Sequence, residues 1–441
     1  FQNPTDLQNL QSCIPYPVFI SGDLIVEVLS LLNVKSILRF RCVNKHWDTL
    51  ISHPTFVNLH LKKSAKQNPH FLLITEHGTH IPGESPYGSD DEAEYERGVI
   101  PYSIRSLLEN PSFALSIDSF YLVQDKGCSD IVGSCNGLIC LIGESNIREY
   151  KEYWFRLWNP STRTTSPKFG FLRLFHNLPG YTAYNDYFNF TFGYDNSTDT
   201  YKIFASTYIT RELRSDVRIL SLSDDVWRDI QTFPVDPLSS CETGVSFKST
   251  INWLAIHNTV WYSGDYYKDI TIDQFLIVSL DLRTETYNQY LLPREFDEVP
   301  PIAPVIGVLG DCLCFSYRYK ETDLIIWQMK KFGVQDSWTQ FLKISCHSLQ
   351  IDYDYSEYMK YHFDLVPLFL SKDGDTLILN NIQEDHKILY NWRNNSVVRT
   401  NITARKTITQ DETSDLVSCS SNGYFESLVS VFGVIKRTAN S

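Results

Sequence analysis

Near its start the chain shows a hydrophobic pattern with the period of an α-helix. Apolar side chains recur at helical spacing in three short stretches within residues 21–53. Ser21 and Asn33 stand before the first two stretches, where an N-cap is expected, and Pro54 follows the third, where a helix is expected to end. The pattern predicts three amphipathic helices in a unit too small to bury much surface alone. The apolar positions are Leu24, Ile25, Val28, Leu29, Leu32, Val34, Ile37, Leu38, Cys42, Trp47, Leu50 and Ile51.

After about residue 65 the pattern changes to short apolar runs that are bounded by turn residues. The runs include residues 71–74, 138–142, 275–278 and 377–379. Turn signals such as Asn136-Gly137 and Asp373-Gly374 stand beside them, as is typical of β-strands. This part of the chain is therefore predicted to be built of strands, with one short helix near residues 103–108.

A loose repeat runs through the strand-rich part, in which an apolar strand leads into a polar turn and an aromatic residue follows. Its markers are separated by 47 to 64 residues and are Trp158, Leu222, Asp281, Gln328 and Asn391. Blades of β-propellers repeat every 40–50 residues or so, and a closed ring of blades covers the faces of each blade without helices. The repeat predicts a β-propeller-like domain, and a β-sandwich is the alternative.

Composition narrows the class of protein. The net charge of -13 disfavours a nucleic-acid binder, which needs a basic surface. Hydrophobic residues make up 43% of the chain, and no apolar run reaches about 18 residues, so a globular protein without a membrane span is expected. The 10 cysteines contain no CxxC pair, which is typical of reduced thiols in an intracellular protein.

Two local patterns suggest chemistry, and both have simpler explanations. Cys135 lies at the centre of a G-x-C-x-G pattern like that of a nucleophile elbow, but an apolar strand follows it where such an elbow needs a helix. A hairpin turn is predicted there instead. His46, His53 and His60 recur every seven residues, but Pro54 interrupts any helix that could align them for a metal. The sequence predicts no catalytic centre, no metal site and no cofactor.

The helical stretches resemble the F-box. Residues 23–29 match its opening helix, and residues 34–47 match its middle and end. The family usually has prolines where Ile20-Ser21 and Asn33 stand in this chain. The resemblance implies docking on a Skp1-type adaptor of a cullin ligase through an apolar helical face. The implied adaptor-binding residues are Ile20, Leu24, Ile25, Val28, Leu32, Val34, Leu38, Val43, Trp47 and Ile51.

The remainder resembles the plant F-box-associated domain, which is kelch-like. The matching blocks are residues 134–140, 157–163, 192–203, 326–338 and 424–429. The last block is similar to that of the S-locus F-box subgroup. Together the resemblances imply a mainly β protein with a small α unit: a three-helix F-box at residues 14–62 and a β-propeller-like domain at residues 63–441.

The function implied is that of a non-catalytic substrate receptor of a Skp1-cullin-F-box ubiquitin ligase, in the cytoplasm, the nucleus or both. It binds the adaptor, through it the cullin, and a target protein, but no nucleic acid and no membrane. Target contacts are expected from aromatic loop segments on one rim. The candidates are Tyr181, Tyr184, Tyr187, Trp261, Tyr262, Tyr266 and Tyr267. The absence of the two F-box prolines leaves an alternative, a ligase-independent scaffold or a lectin-like module.

Overall fold

The structure is a computed structural model that describes a defined set of residues. They are 21–67, 69–78, 95–116, 121–122, 126–147, 149–175, 188–209, 214–238, 243–257, 270–300, 303–320, 322–351, 365–381, 386–405 and 416–435. None of the helices in these ranges is both long enough and apolar enough to cross a lipid bilayer.

The N-terminal part folds into a helical unit with the predicted caps. Ser21, Asn33 and Asn44 each accept a side-chain hydrogen bond from the backbone N–H three residues later, at 3.3, 2.8 and 2.9 Å. These bonds satisfy N–H groups that have no partner in the first turn of a helix. The caps predicted at Ser21 and Asn33 are thus confirmed. The helices of the unit are α1 (Gly22–Leu29), α2 (Val34–Arg41), α3 (Lys45–Ser52) and α4 (Pro54–Gln67).

The fourth helix was not predicted. Pro54 does stand just beyond the end of α3, but it is also the first residue of α4. Proline is favoured at this position because the first N–H of a helix has no intrahelical acceptor. The predicted three-helix unit is therefore wrong by one helix, and the predicted division between residues 62 and 63 falls inside α4. One buried residue from each helix forms the core of the unit: Leu29, Ile37, Ile51 and Phe56.

A buried histidine makes the helical unit sensitive to acid. His60 on α4 is buried, and its Nε2 lies 3.0 Å from the carbonyl oxygen of Leu32. Burial lowers the pKa of His60 below its ordinary value of 6.5, against the smaller opposing effects of that carbonyl and of the Glu426 carboxylate. The folded chain therefore holds the imidazole neutral, whereas the unfolded chain takes up a proton as pH falls through 6.5.

We expect the free energy of unfolding of this unit to be fully present above the unfolded-state pKa of His60 and to decrease as pH falls below it. Urea unfolding of the full chain at about pH 7.5 and about pH 5.5 measures this loss. In His60→Gln, which can still donate to Leu32, the loss should be smaller. An equal loss in the variant would assign the acid sensitivity to other groups.

The strand-rich part forms six sheets within the described residues, each with four strands in antiparallel order and one with an additional fifth strand. Blade 1 joins the two ends of the domain, because its first strand is the last of the chain. The strands of blades 1 to 3 are β27 (Leu416–Phe425), β1 (Pro69–Gly78), β2 (Tyr95–Ser103) and β4 (Tyr121–Leu122); β5 (Asp130–Cys135), β6 (Leu138–Ile147), β7 (Tyr150–Asn159), β8 (Thr164–Thr165) and β9 (Phe169–Phe175); β10 (Asn189–Asp195), β11 (Thr200–Ile209), β12 (Arg214–Ser221) and β13 (Val226–Asp229).

Blades 4 to 6 follow in chain order. Their strands are β14 (Val245–Phe247), β15 (Thr250–Ile256), β16 (Phe275–Asp281) and β17 (Thr286–Leu291); β18 (Val305–Leu309), β19 (Cys312–Tyr319), β20 (Asp323–Met329) and β21 (Trp338–Ser345); β22 (Leu365–Leu370), β23 (Thr376–Asn381), β24 (Lys387–Asn391) and β25 (Ser396–Arg399). Outside the blades lie the parallel pair β3 (Ser112–Ser116) and β26 (Asn401–Arg405), and the short helices α5 (Ile104–Glu109) and α6 (Val431–Val434).

Buried apolar clusters between neighbouring blades show that the ring closes. Each cluster takes residues from two successive blades, and one joins blade 6 to blade 1. Each blade thus covers the face of the next, as the propeller prediction requires. The propeller is confirmed and the β-sandwich alternative is wrong. Pairs within the six clusters, from blades 1 and 2 onward, are Leu72 and Leu141, Phe155 and Phe190, Phe204 and Trp253, Phe275 and Phe315, Ile326 and Leu379, and Leu389 and Phe71.

The predicted repeat corresponds to the hairpin between the third and fourth strands of blades 2 to 6. Its markers lie at or beside the ends of β7, β12, β16, β20 and β24. In blades 2, 4 and 6 the third strand ends at Asn159, Asp281 and Asn391, whose Oδ1 accepts from the amides two and three residues later. Such side-chain caps favour a tight turn. The repeat is therefore a turn chemistry that recurs once per blade.

The antiparallel order divides the propeller into two faces. Turns between first and second strands and between third and fourth strands lie on one face, called here the hairpin face. The ends of the strands that are joined in the other two ways open on the opposite face, called here the connection face. Asn196 in a turn of blade 3 donates to the Ser249 hydroxyl in a turn of blade 4 at 2.8 Å, so these blades share one orientation.

Candidate functional site

The first helix carries two apolar stripes, and only one of them is covered. Ile25 and Leu29 face the core of the helical unit. Leu24 and Val28 are each 53% exposed, and Leu31 in the following turn is 49% exposed. Residues at positions i, i+4 and i+7 lie along one side of a helix. Leu24, Val28 and Leu31 are called here the docking stripe, and they remain accessible with the propeller in place.

Three further residues of the predicted adaptor-binding set retain accessible surface. Val43, in the turn between α2 and α3, is 61% exposed. Leu38 and Trp47 are half-buried, and the ring of Trp47 lies 5.2 Å from that of Phe40. These side chains are held by the core while part of their surface faces outward, as a preformed docking surface requires.

Other predicted adaptor-binding residues serve the chain itself. Val34 and Ile51 are buried, and Ile51 is one of the four core residues, so neither offers surface to a partner. Including these two in the docking face is corrected for this reason. Ile25 and Leu32 are half-buried against the same core. Ile20 lies outside the described residues.

Leu31 was missed by the sequence prediction. It follows Val28 by three residues and Leu24 by seven, so its spacing already placed it on their stripe. It was overlooked because it stands after the last residue of α1, Leu29. The backbone N–H of Leu31 donates to the carbonyl oxygen of Val28 at 3.1 Å, which continues the helical path for one more turn.

The helical unit lies on the hairpin face of the propeller. A cleft of about 740 Å³ separates α3 and α4 from the turns of blades 2 and 3. It is lined by Arg41, Val57 and Leu61 on the helical side and by Asn136 and Thr198 on the propeller side. The helices are therefore seated beside the turns that contain the signature blocks of the propeller.

The predicted target-binding residues lie outside the described residues. Tyr181, Tyr184 and Tyr187 fall between β9 and β10, whereas Trp261, Tyr262, Tyr266 and Tyr267 fall between β15 and β16. The strand ends that flank both segments open on the connection face, because they are not the ends joined by hairpin turns. Phe188, beside the first segment, is buried with its ring 5.8 Å from that of Phe190. The assignment of these residues to target binding stays a prediction.

The suspected cysteine motif is a hairpin turn, as predicted. β5 ends at Cys135 and pairs with β6 through Asn136-Gly137. Burial raises the pKa of the Cys135 thiol to about 12, so the reactive thiolate is not formed near neutral pH. Among the described residues no three His, Cys, Asp or Glu side chains are grouped so that they could hold a metal ion.

Comparison with known proteins identifies both parts of the chain. A model of the F-box domain matches residues 21–58, and a model of the F-box associated beta propeller domain matches residues 106–422. An F-box/kelch-repeat protein of Arabidopsis thaliana is 26% identical over 332 residues, which cover 73% of this chain and 78% of the relative. F-box protein CPR1 of the same plant is 22% identical over 376 residues, which cover 81% of this chain and 80% of the relative.

Solved structures share the propeller architecture at a distance. The β-propeller domain of the Trilobed protease from Pyrococcus furiosus is 10% identical, covers 64% of this chain and 76% of that chain, and gives a TM-score of 0.33. This value is too low to carry an argument. The S-locus subgroup stays a prediction. Because the two family models match the helical unit and most of the propeller, the chain belongs to the plant F-box proteins that carry an F-box-associated β-propeller domain.

Proposed function

We propose that this chain is the substrate-receptor subunit of a Skp1-cullin-F-box ubiquitin ligase. The observation that carries the proposal is the docking stripe. Leu24, Val28 and Leu31 are large apolar side chains on a small folded unit, and neither the unit nor the propeller covers them. Exposed apolar surface of this kind is typical of a protein-binding site, because its removal from water favours association.

The surroundings of the stripe fit a protein partner. Lys35 and Arg39 are exposed one turn apart on α2, and they supply a basic rim next to an apolar surface. A charged rim around an apolar centre favours correct orientation and faster association. The Skp1-type adaptor would take this face, and the cullin would be reached through the adaptor.

The propeller would hold the target protein on the connection face, away from the helices. A receptor of this type carries out no bond chemistry itself. It accelerates ubiquitin transfer by keeping the target near the conjugating enzyme, which turns a rare encounter into a step within one assembly. The proposal places this work in the cytoplasm, the nucleus or both, and the target itself stays unidentified.

The test is capture of purified Skp1-type adaptor by the full chain. We expect the wild-type chain to retain the adaptor and Leu24→Asp to weaken binding by about tenfold or more, because a carboxylate would be desolvated at the centre of the interface. Leu38→Asp should act in the same direction. Leu291→Asp is the matched control, since Leu291 is 55% exposed on the propeller, and it should leave capture unchanged.

The same measurement separates the alternative. The residues Ile20-Ser21 and Asn33, where the family usually has prolines, motivate a ligase-independent scaffold or a lectin-like module. Failure of the wild-type chain to retain the adaptor would favour that alternative. Retention that Leu24→Asp does not weaken would keep the receptor function but would show that the docking stripe is wrongly assigned.

A further inference from the structure

The segment that follows the last propeller strand contacts both parts of the protein. Residues 424–431, called here the C-terminal segment, begin with the buried Tyr424, whose hydroxyl lies 2.6 Å from the hydroxyl of Ser161 in blade 2. Leu428 contacts the core of the helical unit. Val431 is buried in the apolar cluster between blades 2 and 3. Eight successive residues thus touch the helices and two blades.

On the helical side, one residue binds two helices. The Glu426 carboxylate accepts a hydrogen bond from the N–H of Val34 at 3.2 Å, and the Glu426 carbonyl accepts one from the Ser64 hydroxyl at 2.9 Å. Val34 is the first residue of α2, where the N–H has no intrahelical acceptor and the helix dipole favours a negative charge. Glu426 therefore connects α2 and α4 to the end of the propeller.

On the propeller side, one buried side chain holds the segment. The Nδ2 of Asn159 donates to the carbonyl oxygens of Ser427 and Val429, at 3.0 and 2.9 Å. Its Oδ1 accepts from the amides of Ser161 and Thr162 and closes the hairpin turn of blade 2. All the polar atoms of the Asn159 side chain are used, as a buried amide requires.

The corresponding turns of other blades separate the two roles of Asn159. Asp281 ends the third strand of blade 4 and closes the same kind of turn with a carboxylate oxygen. An acceptor oxygen is therefore sufficient for the turn. The donating amide of Asn159 is needed only for the two carbonyl groups of the C-terminal segment, since an aspartate cannot donate to them when it is ionised.

We propose that the C-terminal segment is a brace that fixes the orientation of the helical unit on the propeller, with Asn159 and Glu426 as its positioning residues. The brace itself follows from contacts within this chain. Its use in the ligase rests on the proposed function: it would hold a target on the connection face at one orientation to the adaptor, and thereby limit which lysines meet the conjugating enzyme.

Hydrogen exchange of the full chain tests the brace with Asn159→Asp. This variant keeps the oxygen that closes the turn but sets a second oxygen against two carbonyl groups. We expect exchange to rise by about tenfold in residues 424–431 and at the start of α2, with blades 3 to 6 unchanged. Asn391→Asp is the matched control, because Asn391 closes the same turn in blade 6 and donates only to the Thr376 hydroxyl, which can itself donate to a carboxylate.

Glu426→Ala tests the helical side without changing the propeller. Exchange of the Val34 amide should rise by about tenfold, and Glu426→Gln, which still offers an acceptor oxygen, should restore much of the protection. Unchanged exchange at α2 in both Asn159→Asp and Glu426→Ala would overturn the brace. Exchange that rises in all six blades of Asn159→Asp would show that Asn159 only maintains the propeller, which removes it as a positioning residue.

The role in the ligase has its own readout. In an assembly with adaptor, cullin and ubiquitin-conjugating enzyme, mass spectrometry can identify the lysines of the receptor that become ubiquitylated. We expect Asn159→Asp and Glu426→Ala to widen this set of lysines, and Asn391→Asp to leave it as in the wild type. An unchanged set would overturn the positioning role. Absence of adaptor capture by the wild type would instead contradict the proposed function, while hydrogen exchange still decides the brace.

Discussion

Replacement of Glu285 by alanine is expected to lower the free energy of unfolding by about 3 kcal/mol, because it leaves a buried cation without its carboxylate. The Lys202 side chain on β11 is only 8% exposed, and its Nζ lies 2.7 Å from the Glu285 carboxylate in a hairpin turn of blade 4. The same ammonium donates to the carbonyl oxygen of Leu282. The ion pair thus joins blades 3 and 4, and the remaining carbonyl cannot replace the lost charge.

The control for this prediction removes the other partner. In Lys202→Met the cation is replaced by an apolar chain of similar length, and Glu285 is still paired with Arg228 at 3.0 Å and is 21% exposed. The expected loss is less than about 1.5 kcal/mol. Urea unfolding of the wild type and both variants measures the difference. If Lys202→Met were as destabilising as Glu285→Ala, the unpaired buried cation could not be the cause.

The helical unit shows which features a hydrophobic pattern can and cannot predict. The period and the caps at Ser21 and Asn33 identified α1 and α2 because these signals are local. The same period combined Leu24 and Val28 with Ile25 and Leu29 in one stripe, although the first pair faces outward and the second pair faces the core. Periodicity shows that a surface is apolar, but which surface is covered depends on where the other helices lie.

Pro54 was misread for a related reason. A proline ends the helix that precedes it and equally well begins a new one, because it lacks an N–H that either position could use. The pattern favoured an end, since the following residues up to Gln67 carry only a weak apolar stripe. Contacts that span the chain decided the outcome: the Ser64 hydroxyl on α4 donates to Glu426, 362 residues later.

The propeller was predicted from its turns more than from its strands. Short apolar runs are compatible with several β folds, but polar turns that recur once per blade indicated a ring. The sequence also identified residues 134–140, 157–163 and 424–429 as signature blocks. It did not show that they meet, because Asn159 and Ser427 are separated by 268 residues and their contact depends on closure of the ring. The brace could therefore be recognised only in the folded chain.

That meeting point predicts a second large effect, at Gly137. Its φ is +74°, and an added Cβ would lie 2.3 Å from the Cβ of Ser427 and 2.6 Å from the carbonyl oxygen of Phe425. The left-handed backbone costs a non-glycine residue about 1–2 kcal/mol, and displacement of the neighbouring chain adds about 1–3 kcal/mol. We expect Gly137→Ala to lower the free energy of unfolding by about 3 kcal/mol and to increase hydrogen exchange in the C-terminal segment.

Gly310→Ala separates the two contributions. Gly310 lies in the first hairpin turn of blade 5 with a φ of +65°, and an added Cβ there would meet nothing within 4 Å. This variant carries the backbone strain alone, so it should cost about 1–2 kcal/mol and leave exchange in the C-terminal segment unchanged. The excess in Gly137→Ala measures how firmly the segment is held against blade 2. Equal losses in the two variants would mean that the segment moves aside at no cost, and a segment so easily displaced could not fix the orientation of the helical unit.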